Sequence, residues 1–301
     1  MDNSSKANSS AHFFIRVFKR WALIFVIVFA LITGVDAVSA LAGSKTSGSV
    51  FFRLVFAAVA SVIVNILTAV FIAPRMNKQY KTFRRLVMRI ADEGYAEPLI
   101  NEMEEQLRVC LSDRENNKLY ISQYAMFLGE AYLSLHRFDD AEEKLDLADM
   151  DYMEKAAQNH ADINAQQNMI MYHVLLIQLS SARKDTERTE YWLKHGEKYF
   201  SRMRGRNEWV DYFIDTAYFE SLMVHEQYEN AMKLLKKYDD VKSIAFGISL
   251  DKARCLKRMG DMNESERYFN TAYELAANDW RRKTVELERD SDDDITDNKK
   301  S

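Results

Sequence analysis

The residues of this chain with the chemistry to catalyse are scattered. Its six histidines stand at 12, 136, 160, 173, 195 and 225, and none fall in the HExxH spacing that sets two imidazoles round a zinc ion. No GxGxxG or GxxxxGK[ST] run offers backbone N–H groups to a phosphate. Cys110 and Cys255 lie far apart and read as small core residues rather than as a disulfide or metal pair. The acid-rich stretch DDAEEKLDLADMD (139–151) reads as a helix surface with i,i+4 partners, not a catalytic carboxylate pair. The aspartates of 288–301 lack the central Gly and closing Glu of a calcium loop. No nucleophile–base pair, metal site or cofactor site is therefore expected, and no enzymatic activity. His136 and His225 are expected in turns, exposed to solvent.

Three polar residues, Asp36, Arg53 and Asn65, are set in apolar surroundings. Two readings of the first pair are open: an ion-conducting or sensing pair, or a structural pair locking two helices, with Arg53 reaching the interface. Asn65 can hydrogen-bond between helices. The elements that would hold them are Trp21–Leu41 and Val50–Ala73, each about the ~20 apolar residues needed to cross a hydrocarbon core. The short GSKTSGS linker makes them a hairpin, assigned to 21–74. Arg16, Lys19 and Arg20 precede the first span, while Arg75, Lys78, Lys81, Arg84, Arg85 and Arg89 follow the second and the turn holds only Lys45. This asymmetry predicts both termini in the cytoplasm and a two-span plasma-membrane protein, with the polar 1–20 as a cytoplasmic, disordered N-terminus. The alternative is a cleaved signal peptide ending near Ala40-Leu41-Ala42. The basic run after the second span either contacts anionic headgroups or only sets topology.

Only 9 Gly and 2 Pro occur in 301 residues, too few turn residues for sheet-rich folds, so an all-α chain is expected. A hydrophobic share of 48% beside a charged share of 29% accommodates both a membrane part and a soluble part. A net charge of −4 is too small to suggest nucleic acid.

The stretch LGEAYLSLHRFDDAEEKLDLA (128–148) reads as two amphipathic helices joined by a turn, with small residues at Gly129, Ala141 and Ala148 and large ones at Tyr132, Phe138 and Leu145. It resembles the tetratricopeptide repeat, a 34-residue helix–turn–helix unit. The same frame fits Tyr228, Ala231 and Leu235, then Ser265, Phe269 and Ala272 after Gly260, and Thr189, Leu193 and Gly196. Unit starts near 122, 170, 212 and 246 are spaced 48, 42 and 34, the extra residues (155–168 among them) lengthening helices. GYAEPLINEMEEQL (94–107) resembles one more turn and second helix, with Pro98 at a small-residue site. The expected organisation is a basic juxtamembrane helix with degenerate capping helices over 75–121, repeats over 122–280, and a solvated acidic tail over 281–301.

The resemblance implies an α-solenoid whose first helices line a concave groove for a protein or peptide. Laid on this chain, that face carries Gln123, Phe127 and Glu130, then Phe213, Thr216 and Glu220, then Arg254, Lys257 and Arg258. A ligand with an acidic portion is expected at the last three. The expected function is a membrane-anchored scaffold or adaptor at the cytoplasmic face. The alternative is an accessory subunit of a membrane complex, engaged mainly through the hairpin. Homo-oligomerisation is left open.

Overall fold

The computed structural model describes residues 73–291, with side chains from 79 onward, and the isolated positions Val26 and Ala60. The expected spans, with Asp36, Arg53 and Asn65, otherwise lie outside the described residues. Among those described, no helix is long and apolar enough to cross a membrane. The chain divides into two compact units, Met1–Thr82 and Phe83–Ser301.

The described residues are all-helical, as the scarcity of Gly and Pro predicts. Helix α1 spans Ala73–Glu93, α2 Glu97–Leu111, α3 Arg114–Ser134, α4 Phe138–Leu145, α5 Met150–Ala157 and α6 Ile163–Ala182. They are followed by α7 Thr186–Met203, α8 Glu208–Val224, α9 Tyr228–Lys236, α10 Ala245–Met259, α11 Met262–Leu275 and α12 Asp279–Asp290, with a short 3-10 turn at Lys242–Ile244. Asp149, Asp162, Asp185, Asn207, Asp261 and Asn278 each accept the backbone N–H three residues on, opening α5, α6, α7, α8, α11 and α12. Such a cap is worth about 1 kcal/mol. Pro98 sits in the first turn of α2, where its missing N–H costs nothing.

Four helix pairs, α3–α4, α6–α7, α8–α9 and α10–α11, are joined by the same turn. His136, Lys184, Glu226 and Gly260 take φ between 56° and 82°. At each, the following N–H reaches back to close the preceding helix: Arg137 to Tyr132 O (2.9 Å), Asp185 to Ser180 O (2.9 Å), Gln227 to Leu222 O (2.8 Å) and Asp261 to Leu256 O (3.0 Å). This paired closure, with a left-handed residue just past the helix end, is the Schellman motif. The four residues are 48, 42 and 34 positions apart, the intervals expected between units. Gly94, with φ 68°, closes α1 by a simpler bond to Ile90 O, so the stretch 94–107 does supply a turn and a second helix.

Most of the residues expected to mate each pair are buried, whereas Phe138, Ala148, Leu193 and Tyr228 are only half-buried. Ala141, Leu145, Thr189, Ala231, Leu235, Ser265, Phe269 and Ala272 are all at most 2% exposed. A large apolar side chain so buried stabilises by roughly 1.5–3 kcal/mol. Gly129 is required by packing, because a Cβ there would stand 2.7 Å from the Leu145 side chain.

Two expectations are corrected. Residues 155–168 do not simply lengthen helices: they hold the end of the extra helix α5, a turn, and the start of α6. The segment from 281 is not a solvated tail as far as Asp290. It is helical because Asn278 caps it and because Trp280, Thr284, Val285 and Glu288 share one face, with Val285 fully buried beside Ala253 and Phe269. Residues 292–301 lie outside those described.

Candidate partner-binding face

The first helices α3, α8 and α10 carry the nine residues assigned to the groove, but most of these already have partners within the chain. Phe127 is half-buried against Phe83 of α1, ring centroids 5.8 Å apart. Glu130 accepts the Tyr95 hydroxyl at 2.6 Å. Burial raises the Glu130 pKa, and the Tyr95 hydrogen bond and Arg281 oppose that rise. Thr216 turns its hydroxyl back to Phe213 O (2.7 Å), and Phe213 stacks on exposed Trp209 with rings 5.5 Å apart and nearly parallel. Gln123 and Arg258 are half-buried.

Glu220, Arg254 and Lys257 are drawn into one network. Glu220 is 3% exposed; it accepts Ser181 Oγ at 2.8 Å and Arg254 Nη1 at 2.7 Å. Arg254 also approaches Asp251 (3.3 Å) and, through Nε, Glu288 of α12 (3.4 Å). Glu288 meets His136 Nε2 at 3.3 Å. Asp251 accepts the Tyr212 hydroxyl at 2.9 Å. Lys257 Nζ donates to the carbonyls of Glu288 (3.2 Å), Arg289 (3.0 Å) and Ser291 (2.6 Å), neutralising the negative end of α12.

Burial moves the Asp251 pKa up to about 7, with Arg254 opposing and Glu220 adding to the rise. Burial also disfavours the charge on Glu288, but Arg254 and His136 outweigh it and hold that carboxyl below its usual range. Burial works against the Arg254 charge, and Glu220 and Glu288 more than restore it.

The basic end of the expected groove is therefore not open. Arg254 and Lys257 receive a carboxylate and helix-end carbonyls from α12. Nor is His136 simply exposed, since Glu288 covers it. His225 likewise is half-buried, with Nδ1 on Ser221 O at 2.7 Å and Nε2 on Glu190 at 2.9 Å. The basic run of α1 is also partly engaged, since Arg85 and Arg89 both pair with Glu102 of α2, while Lys81 and Arg84 are exposed. The signal that marked these contacts was faint: Trp280 opening a helix capped by Asn278, with Glu288 two turns on.

Cys110 and Cys255 are free and fully buried, and burial pushes their thiols up to about 11 and about 12, out of reach of thiolate chemistry near neutrality. Among the described residues, no three His, Cys, Asp or Glu side chains gather as metal ligands. An open cavity of about 410 Å³ lies beside the buried Asp215, which Arg204 (2.8 Å) and Lys237 hold as a structural ion triplet. No family model, curated protein or solved structure matches the chain.

Proposed function

We propose that the chain is a membrane-anchored, tetratricopeptide-like helical scaffold that presents a protein-binding face beside the bilayer. The observation that carries the reading is the turn repeated at His136, Lys184, Glu226 and Gly260, each joining two helices packed on one another, with Gly129 against Leu145 in the first pair. Units of this kind cannot bury their apolar faces alone and are stabilised by stacking. The two apolar stretches 21–41 and 50–73, with their basic flanks, support an anchor with cytoplasmic termini. Tethering then raises the effective concentration of a bound partner near membrane targets. Copurification from detergent, with and without residues 1–75, tests this. Partners retained by the shortened chain support the scaffold, whereas partners lost with 1–75 mean that the hairpin is the binding element.

A further inference from the structure

Helix α12 touches parts of the second compact unit that are far apart in sequence. Near its start, the Trp280 ring meets Tyr95 edge-on, centroids 5.0 Å apart, and its indole N–H reaches Ser134 Oγ at 3.1 Å. Asn278 lies 3.5 Å from Asp92 O, 186 residues away. Gly94 makes room: a Cβ there would come within 2.7 Å of Trp280. Two turns later Glu288 lies against His136 and Arg254, and Lys257 holds the helix end. A helix that only sealed the last unit would contact α10 and α11 alone. This one also reaches α3 and the turn between α1 and α2.

The attachment is sparse and polar. Only Thr284 and Val285 are buried within α12. The rest of the hold comes from the Trp280 ring, from the charged contacts of Glu288 and Lys257, and from Arg281 and Arg289 lying over the Phe246 and Phe269 rings. Such an arrangement resembles a docked helical ligand, with an aromatic anchor at one end and a carboxylate and helix terminus at the other. Arg254 and Lys257 suit any helix that brings these groups.

We propose that this face is a helix-binding site, that α12 is its internal ligand, and that the external ligand is an amphipathic helix of a partner protein with an aromatic residue in its first turn and a carboxylate about eight residues later. The inference rests on the scaffold reading above and names that scaffold's ligand. The partner helix displaces α12 and takes over the Tyr95–Ser134 contact and the Arg254–His136 contact.

The probe is a fluorescent synthetic peptide of this chain's residues 276–291, titrated into the full chain in detergent. A chain with Trp280→Ala and Glu288→Gln, its own helix weakened, should bind the peptide at least tenfold more tightly than the unaltered chain. Adding Arg254→Met should remove at least tenfold of that affinity. Equal binding by both chains, or no binding by a weakened chain of unchanged helical signal, overturns the proposal. In the unaltered chain, peptide at roughly millimolar, the effective concentration that a short tether provides, should speed hydrogen exchange of the chain's α12 amides in 281–290, distinguished from the peptide by isotope labelling. No change there overturns it as well. Failure would make α12 a permanent brace, while partners retained without residues 1–75 would still support the scaffold.

Discussion

At the α3–α4 joint, Gly129 admits the Leu145 side chain, both are buried, and the turn between the helices is closed by backbone bonds over a few residues. Beneath α12, Arg254 gathers Glu220 and Glu288, and Glu288 reaches His136 across 152 positions of sequence. The joint is apolar, local and repeated four times. The face is charged, long-range and single. The joints gain mainly from apolar burial within each unit, whereas a charged face is stable only while every partner is in place. On the proposed reading, permanent joints let what lies on the conditional face exchange without unfolding.

Breaking the face should produce the largest effect. Arg254→Met leaves Glu220 buried without its cation and should cost about 3–5 kcal/mol in denaturant unfolding. The Arg254→Met/Glu220→Leu double variant should recover at least half of that. Additive losses would show that the pair is not coupled. At the joint, Leu145→Ala should cost about 3 kcal/mol through the cavity it leaves. It should leave the environment of Trp280 unchanged, which tryptophan fluorescence in a chain with Trp21, Trp192 and Trp209 replaced by Phe would report.

The pH dependence separates the two regions by sign. His173 lies in the α6–α7 joint, its Nδ1 bonded to Met169 O at 2.7 Å and its ring fully buried. Burial lowers its pKa from 6.5 to about 4. The unfolded chain therefore takes up a proton first, and this joint loses stability as pH falls from about 6.5 towards 4, by up to about 3 kcal/mol at ~1.4 kcal/mol per unit. Asp251, on the face, has its pKa raised to about 7. The folded state holds that proton more tightly, so its contribution is full at low pH and is lost as pH rises from about 4 through 7. Unfolding free energies measured across pH 4–8 should lose the acid limb in His173→Gln and the neutral limb in Asp251→Asn.

The smallest effect should be a gain. Glu226 is exposed and held at φ 58°, a conformation that costs a side-chain-bearing residue about 1 kcal/mol relative to Gly. Glu226→Gly should raise stability by about that amount. An equal gain from Gly at a neighbouring exposed position, such as Glu229, would show that the turn is not the cause.

The joints were legible in the sequence because their signals are local. Gly129, Ala141 and Leu145 mark a close approach within one unit, and the 48, 42 and 34 spacing reappears in the left-handed residues. The face was legible only in part. The frame placed Glu220, Arg254 and Lys257 on one side of their helices, but helix periodicity does not say what lies opposite. Glu220 finds Ser181 and Arg254, but Glu288, which meets Arg254, and the carbonyls that Lys257 holds sit on or just past α12, whose sequence is so rich in charge that its apolar Trp280 and Val285 pass for tail. The frame likewise sets Phe127 and Glu130 on an open groove, because Phe83 and Tyr95, which cover them from α1 and the turn after it, precede the first unit.

Native-state hydrogen exchange tests most directly the claim that joints and face are separable. Amides of α12 should open with a free energy well below that of α3, α4, α10 and α11, and Glu288→Gln should lower the α12 value alone. If α12 opens only together with the joints, at the same free energy in both chains, then face and joints are one cooperative structure and the account fails.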